Sequence, residues 1–251
     1  MLLRSLLVFV LSVFLVACGG GVKEDIDTQK LAETNLHLAI GYFKQGRIEA
    51  SRGKLQKALQ AAPDYAPAHG ALALVYQRLG ELDKADEHFK RALSLDPMDG
   101  RTHNNYAVML CQTGKLDEAE KHFLIALKSR NYQTPASVFE NLGVCVLQKP
   151  DIKQAEKYLR RALQIDPALP VALLRMAQIS LDNQRFLSGR AYLQRYQAVA
   201  PDTAGSLWLG IQIETQLGDE AAVHDYANQL SRHFPDSDEL GLLLDMEARQ
   251  R

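Results

Sequence analysis

The groups in this chain with reactivity to offer are three cysteines and seven histidines. Cys18 ends the tetrapeptide Leu15-Val16-Ala17-Cys18, which follows Arg4 and an apolar run from Ser5 to Phe14. That run is too short to span roughly 30 Å of hydrocarbon, so it reads as a signal segment, a plain transmembrane anchor being the alternative. The tetrapeptide has the form of a bacterial lipobox, in which the cysteine is acylated and becomes the first residue of the mature chain. The expectation is a lipoprotein signal peptide over 1–17 and lipidation at Cys18, with diacylglycerol and an N-acyl chain as the covalent groups and no other cofactor. Cys111 and Cys145 stand 34 residues apart. They are either buried free thiols or, in an oxidising compartment, partners in a disulfide. The histidines His37, His69, His88, His103, His122, His224 and His233 show no HExxH spacing, and no CxxC, GxSxG or Walker loop occurs. Surface placement or packing between repeats accounts for them. The acid pairs Asp117-Glu118 and Asp238-Glu239 fall at helix starts, where they complement the helix dipole. Nothing here forms a catalytic or metal-binding set, so the expectation is a protein that is not an enzyme and takes no small-molecule substrate.

What must position these residues is a repeated unit. Pro63, Pro97, Asn131, Pro167, Pro201 and Pro235 form one column with steps of 34, 34, 36, 34 and 34. A second column, 17 residues earlier, holds Gly46, Gly80, Gly114, Pro150, Gln184 and Gly218, with the same two-residue slip before its fourth member. Helix-length segments lie between the breakers, so each unit reads as helix, turn, helix, turn. Small residues recur where two helices would cross: Ala39, Ala73, Ala107, Gly143 and Ala177 in first helices, and Ser51, Ala85, Ala119, Ala155 and Gly189 in second helices. Ile211 and Val223 break these columns in the last unit, as Tyr196 and Leu230 break others. The pattern and its period resemble the tetratricopeptide repeat. The implied fold is all-α: a right-handed superhelical solenoid of six tetratricopeptide repeats with a C-terminal capping helix. The repeats fall at about 32–65, 66–99, 100–133, 136–169, 170–203 and 204–237, spanning 31–237 in all, with the cap at 238–251. The cap carries Leu240, Leu243, Leu244 and Met246 toward the last repeat. The slip at Asn131 to Pro135 predicts a longer turn.

Residues 18–30, Gly-rich and then charged, read as a lipidated flexible tether. Balanced charge, 29 Lys and Arg against 30 Asp and Glu, leaves no basic stripe, so nucleic acid is not an expected partner. In arrays of this kind the first helix of each unit lines a groove. Helical spacing assigns Leu36, Ile40 and Phe43 to it in unit one, Gly70, Leu74 and Gln77 in unit two, and Arg101, Asn104 and Val108 in unit three. Glu140, Val144 and Leu147 follow in unit four. The expectation is an apolar trough with polar middle positions for an extended segment or helix of a protein partner, the alternative being core between repeats. Chaperone-tail clamps place lysine and asparagine in unit one, where this chain has Leu36 and Ile40.

Several strings are more specific than the repeat columns: Asn104-Asn105-Tyr106-Ala107-Val108-Met109-Leu110-Cys111, Asn141-Leu142-Gly143-Val144-Cys145, Ala191-Tyr192-Leu193-Gln194-Arg195-Tyr196, Ser206-Leu207-Trp208-Leu209-Gly210 and Phe234-Pro235-Asp236-Ser237. They resemble the type IV pilus biogenesis lipoproteins called PilF or PilW, across essentially the whole mature chain. The resemblance implies an outer-membrane pilotin, facing the periplasm, that helps the pilus secretin subunit reach the outer membrane and form its ring, and so serves pilus assembly and twitching motility. Gly19, in place of an aspartate after Cys18, agrees with that address. The implied partners are the secretin subunit and the outer-membrane lipid surface, with the protein a monomer. The family pattern also implies that Cys111 and Cys145 pair. The repeats and lipobox would equally suit a scaffold for β-barrel insertion or for recruiting peptidoglycan hydrolases; the family strings separate these readings.

Overall fold

Five of the six repeats reverse direction between their two helices on one residue of left-handed backbone, and glycine, lacking a Cβ, is the default there. Gly46, Gly80, Gly114 and Gly218 turn with φ of 73°, 77°, 77° and 71°, and Gln184 does so at 57°. Pro150, whose ring fixes φ at a negative value, departs from the column. In its repeat the Asp151 carboxylate accepts from the Gln154 amide at 3.0 Å and starts the second helix instead.

The computed structural model describes residues 21–130 and 132–249. The expected signal peptide, Cys18, Asn131 and the last two residues of the expected cap lie outside them. Among the described residues there are thirteen helices and no strand. The chain divides into two compact units, one ending at Pro97 and the next beginning at Met98. The first holds α1 (Gly21–Lys44), α2 (Ile48–Ala61), α3 (Ala66–Arg78) and α4 (Leu82–Leu95). The second holds α5 (Gly100–Gln112), α6 (Leu116–Lys128), α7 (Pro135–Val146), α8 (Ile152–Ile165), α9 (Pro170–Asp182), α10 (Phe186–Gln197), α11 (Ala204–Leu217), α12 (Glu220–His233) and α13 (Asp238–Arg249). Within each unit successive helices pack as hairpins, and the first helix of one repeat also packs on the first helix of the next. These are the stacked hairpins of a tetratricopeptide solenoid.

The small columns do what close crossing requires. Ala39, Ala73, Ala85, Ala107, Ala119, Ala155 and Ala177 have no exposed surface. The Ser51 hydroxyl donates to the Ala39 carbonyl at 2.9 Å across the first crossing. A Cβ on Gly143 would come within 2.7 Å of Leu159 Cγ. In the sixth repeat the glycine sits one residue earlier: a Cβ on Gly210 would meet the Tyr226 ring at 2.9 Å, while Ile211 is fully buried. Beside the crossings Leu55, Phe89, Phe123, Leu159 and Leu193 are buried to within 1 %.

Three expectations need correction or detail. Residues 21–30, read as tether, belong to α1, whose helical hydrogen bonding continues N-terminally past the repeat boundary. At the slip α6 ends at Lys128 and α7 begins at Pro135, a wider interval between helices than that from α4, ending at Leu95, to α5, beginning at Gly100. On α13 Leu240, Leu243 and Met246 pack with Leu207, Ile211 and Leu230, but Leu244 is 57 % exposed. Leu243 and Leu244 are adjacent on a helix, about 100° apart around its axis, so one packed face does not take both.

Candidate partner-binding surfaces

In the first unit α1 packs directly on α3. Ile40 is 38 % exposed, and Phe43, Leu74 and Gln77 are partly exposed. These four residues present an apolar face with one amide. Leu36, expected to project beside them, is only 7 % exposed and belongs to the core. Its spacing from Ile40 fixes a common direction, but neighbouring side chains cover it.

The second unit carries Asn104 and Val108. Val108 is half-buried. Asn104 is buried; its carbonyl oxygen accepts from Asn141 Nδ2 at 3.2 Å and ties α5 to α7, so its expected role as an open groove residue is replaced by a bridge between repeats. Further along, Val144 and Leu147 pack against the core built by α8, α9 and α10. Glu140 accepts the Ala172 amide at 2.8 Å, capping the N-terminus of α9 from two helices away. Burial pushes the Glu140 carboxyl up, opposed by that hydrogen bond, with Asp166 adding to the rise.

The structure joins Cys111 to Cys145 as a disulfide, with Cα atoms 5.7 Å apart. Both cysteines are nearly inaccessible. Gln148 Nε2 donates to Cys111 Sγ at 3.1 Å. The link fastens α5 to α7, the two first helices on either side of the slip.

A surface that sequence reasoning did not single out lies at the far end of this unit. A cavity of about 680 Å³ is lined by Leu181, Phe186, Trp208 and Met246, with Gln178, Gln212, Gln216, Thr215 and Asp182 among them. The groove columns point there: the position of Leu36, Gly70, Asn104 and Glu140 continues to Leu174 and Trp208, and that of Ile40 and Leu74 to Gln178 and Gln212. Among the described residues no three His, Cys, Asp or Glu side chains gather as metal ligands, and no helix is long and apolar enough to cross a membrane.

The tetratricopeptide repeat family model matches residues 30–97 and 99–168, and a second model of that family matches 147–208. The chain is 32 % identical over 242 residues to the type IV pilus assembly protein PilF of Pseudomonas aeruginosa, covering 94 % of this chain and 96 % of that protein. It is similar to the solved structure of Pseudomonas aeruginosa PilF at a TM-score of 0.82 and 30 % identity, covering 88 % of this chain and 99 % of the other. It is also similar to PilW, described as a widely conserved type IV pilus biogenesis factor, at a TM-score of 0.78 and 31 % identity, covering 85 % and 98 %.

Proposed function

This chain belongs to the PilF and PilW family of tetratricopeptide proteins, and from that membership we propose that it serves type IV pilus biogenesis as an outer-membrane pilotin. In this reading Cys18 carries the lipid, and the repeats face the periplasm as a monomer. They bind the secretin subunit and promote its arrival and multimerisation in the outer membrane. The observation that carries the proposal is similarity over nearly the full length of both chains. The surface proposed for the secretin subunit is the α1–α3 face of Ile40, Phe43, Leu74 and Gln77. Apolar side chains left partly wet are favourable to cover, and no charge has to be desolvated to cover these.

Two linked measurements test this. Deleting the protein is expected to reduce secretin rings in the outer membrane and to abolish twitching. Cys18→Ser is expected to leave a folded protein that no longer fractionates with the outer membrane. Normal rings without the protein would overturn the pilotin reading, and an unchanged distribution of Cys18→Ser would overturn the lipid anchor.

A further inference from the structure

Four of the histidines stand at two repeat positions: His69 and His103 in α3 and α5, His88 and His122 in α4 and α6, each pair of equivalents 34 residues apart. Across the first hairpin His69 Nδ1 lies 2.9 Å from His88 Nδ1. Across the second His103 Nδ1 lies 2.8 Å from His122 Nδ1. His69 Nε2 lies 2.9 Å from the Pro63 carbonyl, which only accepts, so that nitrogen carries the proton. His69 Nδ1 is then the bare acceptor and His88 Nδ1–H the donor. Such a contact works with one proton between the two nitrogens. A first added proton at the far nitrogen of the donor ring leaves that contact in place; protonating both rings sets two N–H groups, and two cationic rings, against each other at hydrogen-bond distance.

The surroundings favour the neutral rings. Burial lowers His88, and the facing His69 lowers it further, against an opposing pull from Glu87 on its own helix. His122 is lowered by burial and by His103, against Glu118. Tyr76 stacks on His88 with ring centres 5.4 Å apart, and Tyr106 meets His122 edge-on at 4.8 Å. Lys84 lies over the Tyr76 ring at 5.3 Å. Among the described residues α1 and α2, packed on α3, and α7, packed on α5 and α6, supply none of the charges that shift His88 and His122. In the remaining repeats of the second unit the same two positions hold Phe139 with Tyr158, Leu173 with Tyr192, and Leu207 with Tyr226. The Phe139 and Tyr158 rings lie 6.3 Å apart, and no imidazole is present in any of these pairs.

We propose that the His69–His88 and His103–His122 contacts are acid-sensitive latches: closed with one bridging proton near neutrality, and opened when both rings of a pair are protonated, which parts α3 from α4 and α5 from α6 while the later hairpins stay closed. Because folded His88 and His122 hold protons less well than free histidine, the stability they contribute is full above the ordinary value of 6.5 and falls as the pH drops below it toward the lowered values.

Hydrogen exchange followed peptide by peptide, corrected for the intrinsic pH dependence, reads the latch directly. Between pH 6.5 and 5.5 the opening constant of each of these hairpins should rise by up to about fivefold for each ring whose hold on its proton the closed contact lowers. Peptides from α9 and α10 should not change. Rebuilding both pairs on the pattern of the fourth repeat, with His69→Phe, His88→Tyr, His103→Phe and His122→Tyr, should remove the acid response. Ring NMR titration of the unaltered protein, which does not depend on that variant folding, should place His88 and His122 below 6.5. The proposal is overturned by pH-independent opening of α3 to α6, by the same acid opening in the rebuilt variant, or by ring titration at or above 6.5.

Discussion

The α1 and α11 helices occupy the same place in their repeats, yet equivalent positions on them offer different chemistry. The three equivalent positions hold Leu36, Ile40 and Phe43 in α1 but Trp208, Gln212 and Thr215 in α11. Ile40 and Phe43 join Leu74 in an apolar face that water solvates poorly. In the later repeat Trp208, with Leu181, Phe186 and Met246, sits among four glutamine amides, the Thr215 hydroxyl and the Asp182 carboxylate, polar groups that water satisfies well and that a partner would have to desolvate. Repeat position therefore sets where a side chain points, and residue type sets whether the place is favourable to cover. Partner binding energy is expected in the first unit, with the α9–α11 cavity contributing little.

The strongest way to break this contrast is to put a charge on the apolar face. Leu74→Glu is expected to weaken capture of the secretin subunit by about thirtyfold or more, the effect of losing roughly 2 kcal/mol at an interface centre, while helicity by circular dichroism stays unchanged. Reducing the Cys111–Cys145 disulfide, which closes a 34-residue separation, should lower the unfolding free energy of the second unit by about 3–4 kcal/mol in urea. Capture through the first unit at 25 °C should survive that reduction; a parallel loss of capture would mean that the working surface lies in the second unit. Trp208→Ala is expected to cost about 1–2 kcal/mol of stability from lost apolar contact and to leave capture within about twofold.

The smallest effect concerns Glu140. Its folded carboxyl holds a proton more tightly than the ordinary carboxylate, so its stabilising contribution is present at low pH and lost as pH rises through the raised value. Glu140→Gln, which keeps an acceptor for the Ala172 amide without the charge, should raise Tm slightly at pH 7 and not at pH 4.

How much of this was legible depended on whether a feature belongs to one helix or to several. The repeat boundaries, the left-handed turns at Gly46 to Gly218 and the departure at Pro150 are local properties of the chain, and spacing exposes them. The burial of Leu36 was not legible, because helical periodicity gives direction and not the cover supplied by other side chains. The same holds for Asn104, whose partner Asn141 lies 37 residues away. The α9–α11 cavity combines α9, α10, α11 and α13, although its Trp208 stood on a column that could have been followed further. Paired histidines were visible as two columns at the repeat period, but only packing brings the columns to 2.8 and 2.9 Å. Residues 21–30 show the converse: composition read as tether, while the backbone continues into α1.

Site-specific photocrosslinking in living cells tests the central claim most directly, since one experiment reports both the partner and the face. A photoreactive residue at position 40 should crosslink the secretin subunit as the main product, and the same residue at position 212 should not. A different main product at position 40, or the secretin subunit captured from position 212 instead, would contradict the account.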